Sequence, residues 1–210
     1  MLKPEKILSE VERYYSAKIK AHGSSPAGVD WNGAPSQCLR FDQLSRVISH
    51  QPGVVINDIG CGYGAYLDYL VSRFENISYA GFDISSAMID EAKSRHEGDV
   101  RHRFFVGSRA NTEADYSVAS GIFNVRLDIP DDQWWQHIVE TLDHMNEASR
   151  GGFSVNFLTS YSDSERMQPR LFYADPALLF TYCKTRYSRN VALLHDYGLY
   201  EFTILVRKDI

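Results

Sequence analysis

Cysteine is scarce in this chain, three residues among 210. Cys38, Cys61 and Cys183 stand far apart, with no CxxC pair and no histidine at ligand spacing. That pattern provides neither a disulfide framework nor a metal site, and a sparse, odd set fits a reducing compartment. Long apolar runs are missing as well: none approaches the roughly 20 residues of a membrane span. The opening Met1-Leu2-Lys3-Pro4-Glu5-Lys6 lacks the apolar stretch of a signal peptide. A cytoplasmic protein with no membrane partner is therefore expected. Basic excess is absent too, since 22 Lys+Arg against 27 Asp+Glu leave a net charge of -5. No nucleic-acid partner is expected from that balance. The Lys93–Arg103 cluster is interleaved with Glu97 and Asp99, as on a solvated helix end.

What is present is an ordinary globular composition, 44% hydrophobic and 23% charged. Its length suffices for one sizeable core and is short for two independent domains. The spacing reads as two helices, over 4–20 and onward from an N-cap at Ser36, separated by a turn-rich loop that carries Trp31. Beyond Pro52-Gly53 strands and helices alternate. Strands are expected at 54–59, 77–84, 103–106, 116–119 and 153–158, with helices at 65–74, from Ser85 or Ser86 to Arg95, from Pro130 to a stop at Gly151-Gly152, and from Asp175-Pro176. Two closing strands, 191–197 and 200–207, are separated by Gly198-Leu199 and must form an antiparallel hairpin. Alternation of this kind requires parallel strands with helices on both faces. The expected architecture is a three-layer α/β sandwich: a mostly parallel sheet of about seven strands, ending in that hairpin. Residues 1–50 would form a helical cap and 51–210 the core of one domain.

The strongest chemical signal is Asn57-Asp58-Ile59-Gly60-Cys61-Gly62-Tyr63-Gly64 between a strand and a helix. Glycines suit a place where the chain turns sharply and a ligand must approach the backbone. Downstream, Gly81-Phe82-Asp83 puts a carboxylate at the next strand end, placed to accept hydrogen bonds from a ribose diol. Gly60-x-Gly62-x-x-Ala65 also satisfies the dinucleotide fingerprint, so an NAD(P)-dependent oxidoreductase is an alternative. Asp58 argues against it: beside a pyrophosphate its charge is repulsive, whereas a sulfonium cofactor with an ammonium group welcomes it.

Asp58-x-Gly60-x-Gly62-x-Gly64, followed by Asp83 and a terminal hairpin, resembles the class I, Rossmann-like, S-adenosylmethionine-dependent methyltransferases over residues 53–207. The resemblance implies S-adenosylmethionine as cofactor, its amino-acid end on Gly60, Gly62 and Gly64 and its ribose on Asp83. Where that family often carries an acid facing adenine, this chain has Val106-Gly107-Ser108-Arg109; Ser108 or a backbone group would take the role. The Asn/Asp-Pro-Pro-aromatic motif of base and amide N-methyltransferases is absent from Ala119–Asn124. A small molecule methylated at oxygen or nitrogen is the implied substrate, with sugars, amines and carboxylates of bacterial biosynthesis all compatible. A cofactor-binding partner subunit without catalysis of its own is a second alternative.

Ligands of such a sheet lie outside the carboxyl ends of the strands. That rule makes Trp31, Asn124, Asn156, Tyr161, Tyr173 and Tyr197 candidate substrate contacts. The polar loop 160–173 reads either as a lid or as plain surface. His195 is the candidate general base, because imidazole titrates near neutral pH; its alternative is a structural histidine at a hairpin end. Arg40 is a candidate bidentate partner for the cofactor carboxylate, or else a surface arginine. No metal is expected.

Overall fold

The structure is a computed structural model that describes residues 4–29, 33–49 and 51–208. Helix α1 (Pro4–His22), a short 3-10 helix (Pro26–Val29) and α2 (Ala34–Ser45) precede the sheet. Then follow β1 (Val55–Ile59), α3 (Ala65–Val71), β2 (Ser78–Asp83), α4 (Ser86–Arg95), β3 (His102–Val106) and β4 (Ala114–Ala119). The second half contains α5 (Asp131–Glu147), β5 (Ser149–Thr159), the two-residue β6 (Tyr173–Ala174), α6 (Pro176–Arg186), β7 (Asn190–Leu194) and β8 (Glu201–Arg207).

The strand order is β3-β2-β1-β4-β5-β8-β7, with β6 pairing on β5. β1 to β5 run parallel, and β8 lies antiparallel between β5 and β7. This is the α/β sandwich the alternation demands. The closing pair is antiparallel as expected, but residues 195–200 join its strands, a longer connection than Gly198-Leu199 alone. His195 therefore lies past the strand end.

The helices form where apolar spacing allows one face to be buried. α5 buries Trp134, Ile138, Leu142 and Met145 completely; each such side chain stabilises the fold by roughly 1.5–3 kcal/mol. α6 begins on Asp175, whose carboxylate accepts from Ala177 N and Leu178 N, with Pro176 at the first turn. Other boundaries shift for identifiable reasons. α2 starts after Gly33, not at Ser36, whose hydroxyl instead donates back to Gly33 O. α3 stops at Val71, which is 50% exposed, and the chain continues in turns through Phe74, whose ring still packs on the core. The Gly151-Gly152 pair does not end α5; both residues lie inside β5. Gly152 has φ 134°, and a Cβ there would sit 2.0 Å from Val206 O, so its glycine serves close strand approach.

Candidate active site

A cleft of about 990 Å³, its open mouth included, lies at the carboxyl ends of β1, β2 and β4. Its floor is the segment from Asp58 to Tyr63, with Asp83 at the end of β2 and Ile84 just after it, Gly107 and Ser108 after β3, and Ser120 to Ile122 after β4. Leu8, Val11 and Tyr15 of α1, Val29, and Gln37 and Phe41 of α2 close it from the other side. α1 is tied over the mouth by hydrogen bonds: Ser16 Oγ lies 2.7 Å from Ser85 Oγ, and Arg170 Nη1 donates to Tyr14 OH at 2.5 Å.

The glycine loop takes its shape from positive φ at Gly60, Gly62 and Gly64, 75°, 54° and 84°. Gly60 N and Cys61 N both donate to Phe82 O, which ties the loop to the end of β2. Space is as restrictive as φ at Gly60, where a Cβ would sit 2.1 Å from Ile122 Cγ2. Gly60→Ala is accordingly expected to cost roughly 1–2 kcal/mol of left-handed strain plus the clash. At about 2–4 °C per kcal/mol for a domain of this size, thermal unfolding would read a drop of several degrees. Adding Ile122→Ala should relieve the clash and leave the φ strain; no drop in the single variant would refute this geometry.

Two buried carboxylates dominate the electrostatics. Asp83 Oδ2 accepts from Gly62 N and Oδ1 from Ser85 N, each at 2.9 Å. Burial pushes its carboxyl up to about 6, those amides pull it down, and Glu12 on α1 pushes it up again. Asp58 accepts a 2.5 Å hydrogen bond from Tyr79 OH. Burial raises its carboxyl to about 7, the Tyr79 bond opposes this, and the charge of Asp83 adds to it. Ionised, the pair makes the floor anionic and receptive to a cation.

Asp58, Gly60, Gly62, Asp83 and Ser108 meet in this cleft; Gly64 does not line it but stands at the N-cap of α3, where a Cβ would meet His96 and Phe104. Other expectations from the sequence need correction. Arg40 does not face it: the guanidinium is buried against Glu201, with Nε 2.9 and 2.8 Å from the two carboxylate oxygens and Nη2 at 2.5 Å. His195 is exposed, packed beside Tyr161 and Phe202. Its strand lies three spacings from β4, roughly 14 Å across the sheet, because β8 intervenes. Asn156 is fully buried and accepts from Gly121 N through Oδ1 at 2.7 Å. Asn124 accepts from Leu158 N, Tyr173 OH accepts from Gln168 N, and Tyr197 OH lies 3.1 Å from Thr203 Oγ1. Tyr161 is 72% exposed. None of these side chains lines the cleft. Trp31 lies outside the described residues.

Sequence reasoning missed His137 and Thr141, which border the cleft from α5. His137 stands one position before the buried stripe residue Ile138, so helical spacing gives no sign of it. Burial lowers its imidazole to about 4, Glu140 opposing and Arg109 assisting, so it is neutral at neutral pH. Ser120 Oγ is buried at the β4 end with no hydrogen-bond partner among the described residues.

Residues 56–148 match the family described as "Methyltransferase domain". Over 163 residues, 78% of this chain and 98% of the other, the chain is 57% identical to Rv1506c of Mycobacterium tuberculosis (strain ATCC 25618 / H37Rv), which carries the name of a methyltransferase. Among solved structures it resembles a SAM-dependent methyltransferase from Aquifex aeolicus at TM-score 0.61 and 15% identity, covering 91% of this chain and 97% of that one. Human N-acetylserotonin methyltransferase in complex with SAM gives TM-score 0.66 at 14% identity; all of this chain matches, spanning 61% of that one. The chain belongs to the class I S-adenosylmethionine-dependent methyltransferases. Within them it stands with the Rv1506c family, an enzyme whose cofactor is S-adenosylmethionine. That membership decides against the oxidoreductase alternative. No helix among the described residues is long and apolar enough to cross a membrane.

Proposed function

We propose that this enzyme transfers a methyl group to oxygen or nitrogen of a small molecule held between the glycine loop and the N-terminal helices. One observation carries the reading. The wall facing the floor consists of α1, the 3-10 helix and α2, so an acceptor must enter a space roofed on its far side by Leu8, Val11, Val29 and Phe41. A cleft whose lining is largely apolar with a few polar groups has the make-up of a small-molecule site; a duplex or folded protein surface does not fit beneath a helix.

The residues present suit the cofactor. Asp83 has two amides on its two oxygens, and a carboxylate offers about four acceptor sites, so lone pairs remain for a ribose diol. Asp58, ionised, would face the ammonium of the amino-acid end above Gly60 and Gly62. With the ribose there, Gly107, Ser108, His137 and Thr141 are placed at the base end; a neutral imidazole can both donate and accept. The cofactor supplies a methyl group already activated on a sulfonium. The chain's contribution is to hold the acceptor at attack distance and exclude water, and no side chain here need be a strong base.

Incubating the enzyme with methyl-labelled S-adenosylmethionine and a cell extract separated by size tests the acceptor class. Label is expected in the small-molecule fraction. Label confined to protein or nucleic acid would refute the reading.

A further inference from the structure

A buried polar chain crosses the molecule from the cap to the glycine loop. On α2, Arg40 Nη1 donates to Ser36 O at 2.8 Å while Nε and Nη2 grip Glu201 of β8. Glu201 Oε2 accepts from Asn156 Nδ2 of β5 at 2.7 Å, and Asn156 Oδ1 accepts from Gly121 N at 2.7 Å. Arg40, Glu201 and Asn156 are 6%, 2% and 0% exposed. Both ends touch the cleft. Gln37 and Phe41, flanking Arg40, line one wall, and Ser120 to Ile122 line another. Ile122 Cγ2 occupies the space where a Cβ on Gly60 would be.

We infer that Asn156 and Glu201 are positioning residues that set the loop after β4, and through Ile122 the glycine loop, in register with helix α2. A neutral peptide amide needs only one good acceptor. Asn156 supplies it with an oxygen whose orientation is fixed by its own amide donating to Glu201, and Glu201 is held by Arg40. An amide is the one side chain of this size that accepts on one side and donates on the other. Removing any member leaves a buried polar group unpaired, and the loop shifts to recover hydrogen bonds. Because Ile122 packs on Gly60, that shift is transmitted to the cofactor site rather than absorbed at the surface.

The inference rests on the reading of the cleft as the cofactor site, and Asn156→Asp tests it with S-adenosylhomocysteine as the probe. The introduced carboxyl would face Glu201 from β8 and Arg40 from α2, with Tyr197 of the β7–β8 connection beyond them; burial and then Glu201 hold Tyr197's proton on, against the Thr203 hydrogen bond and the Arg40 charge. Beside the Glu201 carboxylate, the introduced carboxyl keeps its proton at acid pH. The protonated side chain then donates to Glu201 and accepts from Gly121 N, as asparagine does. At alkaline pH the introduced group ionises and the two carboxylates repel. Calorimetric affinity of the variant is expected within about threefold of the wild type at pH 6 and weaker by about 30-fold or more at pH 8.5. A ratio that does not change with pH overturns the inference, because a general loss of packing has no such profile. Failure of the wild type itself to bind the probe would instead refute the site reading. Should the variant not fold, amide exchange in the wild type decides. Gly121 N is expected to exchange about 100-fold or more slowly than Gly98 N, on an open turn; equal rates overturn the chain's role.

Discussion

Asp83→Ala is expected to weaken S-adenosylhomocysteine by roughly 10²–10⁴-fold. Two charge-assisted hydrogen bonds to a ribose diol are worth about 1.5–3 kcal/mol each, and about 1.4 kcal/mol is one decade in affinity. The loss has a second source, since Gly62 N would no longer have the acceptor that fixes the glycine loop. Asp83→Asn keeps the size and one acceptor oxygen and should fall between the wild type and the alanine variant. The fold should survive in both, because α4 keeps its own cap, Ser85 Oγ accepting from Met88 N. Calorimetry on variants with wild-type circular dichroism is the measurement. Unchanged affinity in a folded alanine variant would mean that the ribose is held elsewhere.

Affinity should also rise with pH between about 5.5 and 7.5. Asp83 and Asp58 are raised to about 6 and about 7, and only their ionised forms attract the cationic cofactor or give acceptors without a proton in the way. Each group can contribute up to about tenfold per pH unit below its own value, with release of up to one proton on binding. The sign for stability is opposite. A carboxyl raised in the folded state favours folding below its unfolded value of 3.8, and that contribution is lost as pH rises through 6 and 7. His137 is lowered to about 4, so its contribution is present above its unfolded value of 6.5 and lost as pH falls. These trends oppose each other in a melting curve, which makes binding the clean readout. Calorimetry in two buffers of different ionisation heat should show proton release near pH 6.5. In Asp58→Asn the upper part of the pH step should shrink and the affinity drop. An affinity flat from pH 5.5 to 7.5 would contradict the placement of these carboxylates at the cation's end.

The parts of the site legible in the sequence are those written by local spacing. Three glycines after a β-branched run, and an acid at the next strand end, need only the strand-turn-helix context to be placed; Gly60, Gly62 and Asp83 line the cleft, and Gly64 caps α3. Arg40 was illegible because its partner stands 161 residues away, and no periodicity reports that Glu201 will be buried beside it. His195 was misplaced for a topological reason. Reading the last two strands as a hairpin gives their mutual direction but not which of them inserts next to β5, and β8 takes that place. Asn156 was read as a substrate contact because ligands lie outside the carboxyl ends of such strands; the structure turns its side chain inward to Gly121 and Glu201. The cleft's far wall depends on how α1 and α2 pack over the sheet, which their own amphipathic patterns do not encode.

The most direct measurement is calorimetric titration of the wild-type enzyme with S-adenosylhomocysteine and, separately, with NAD at pH 7.5. The buried carboxylates of the floor and the glycine loop beside them lead to one site of micromolar affinity for the adenosyl ligand and no binding of the dinucleotide, whose pyrophosphate would face Asp58. Binding of NAD, or the absence of a site for S-adenosylhomocysteine in folded protein, would contradict the cleft's assignment.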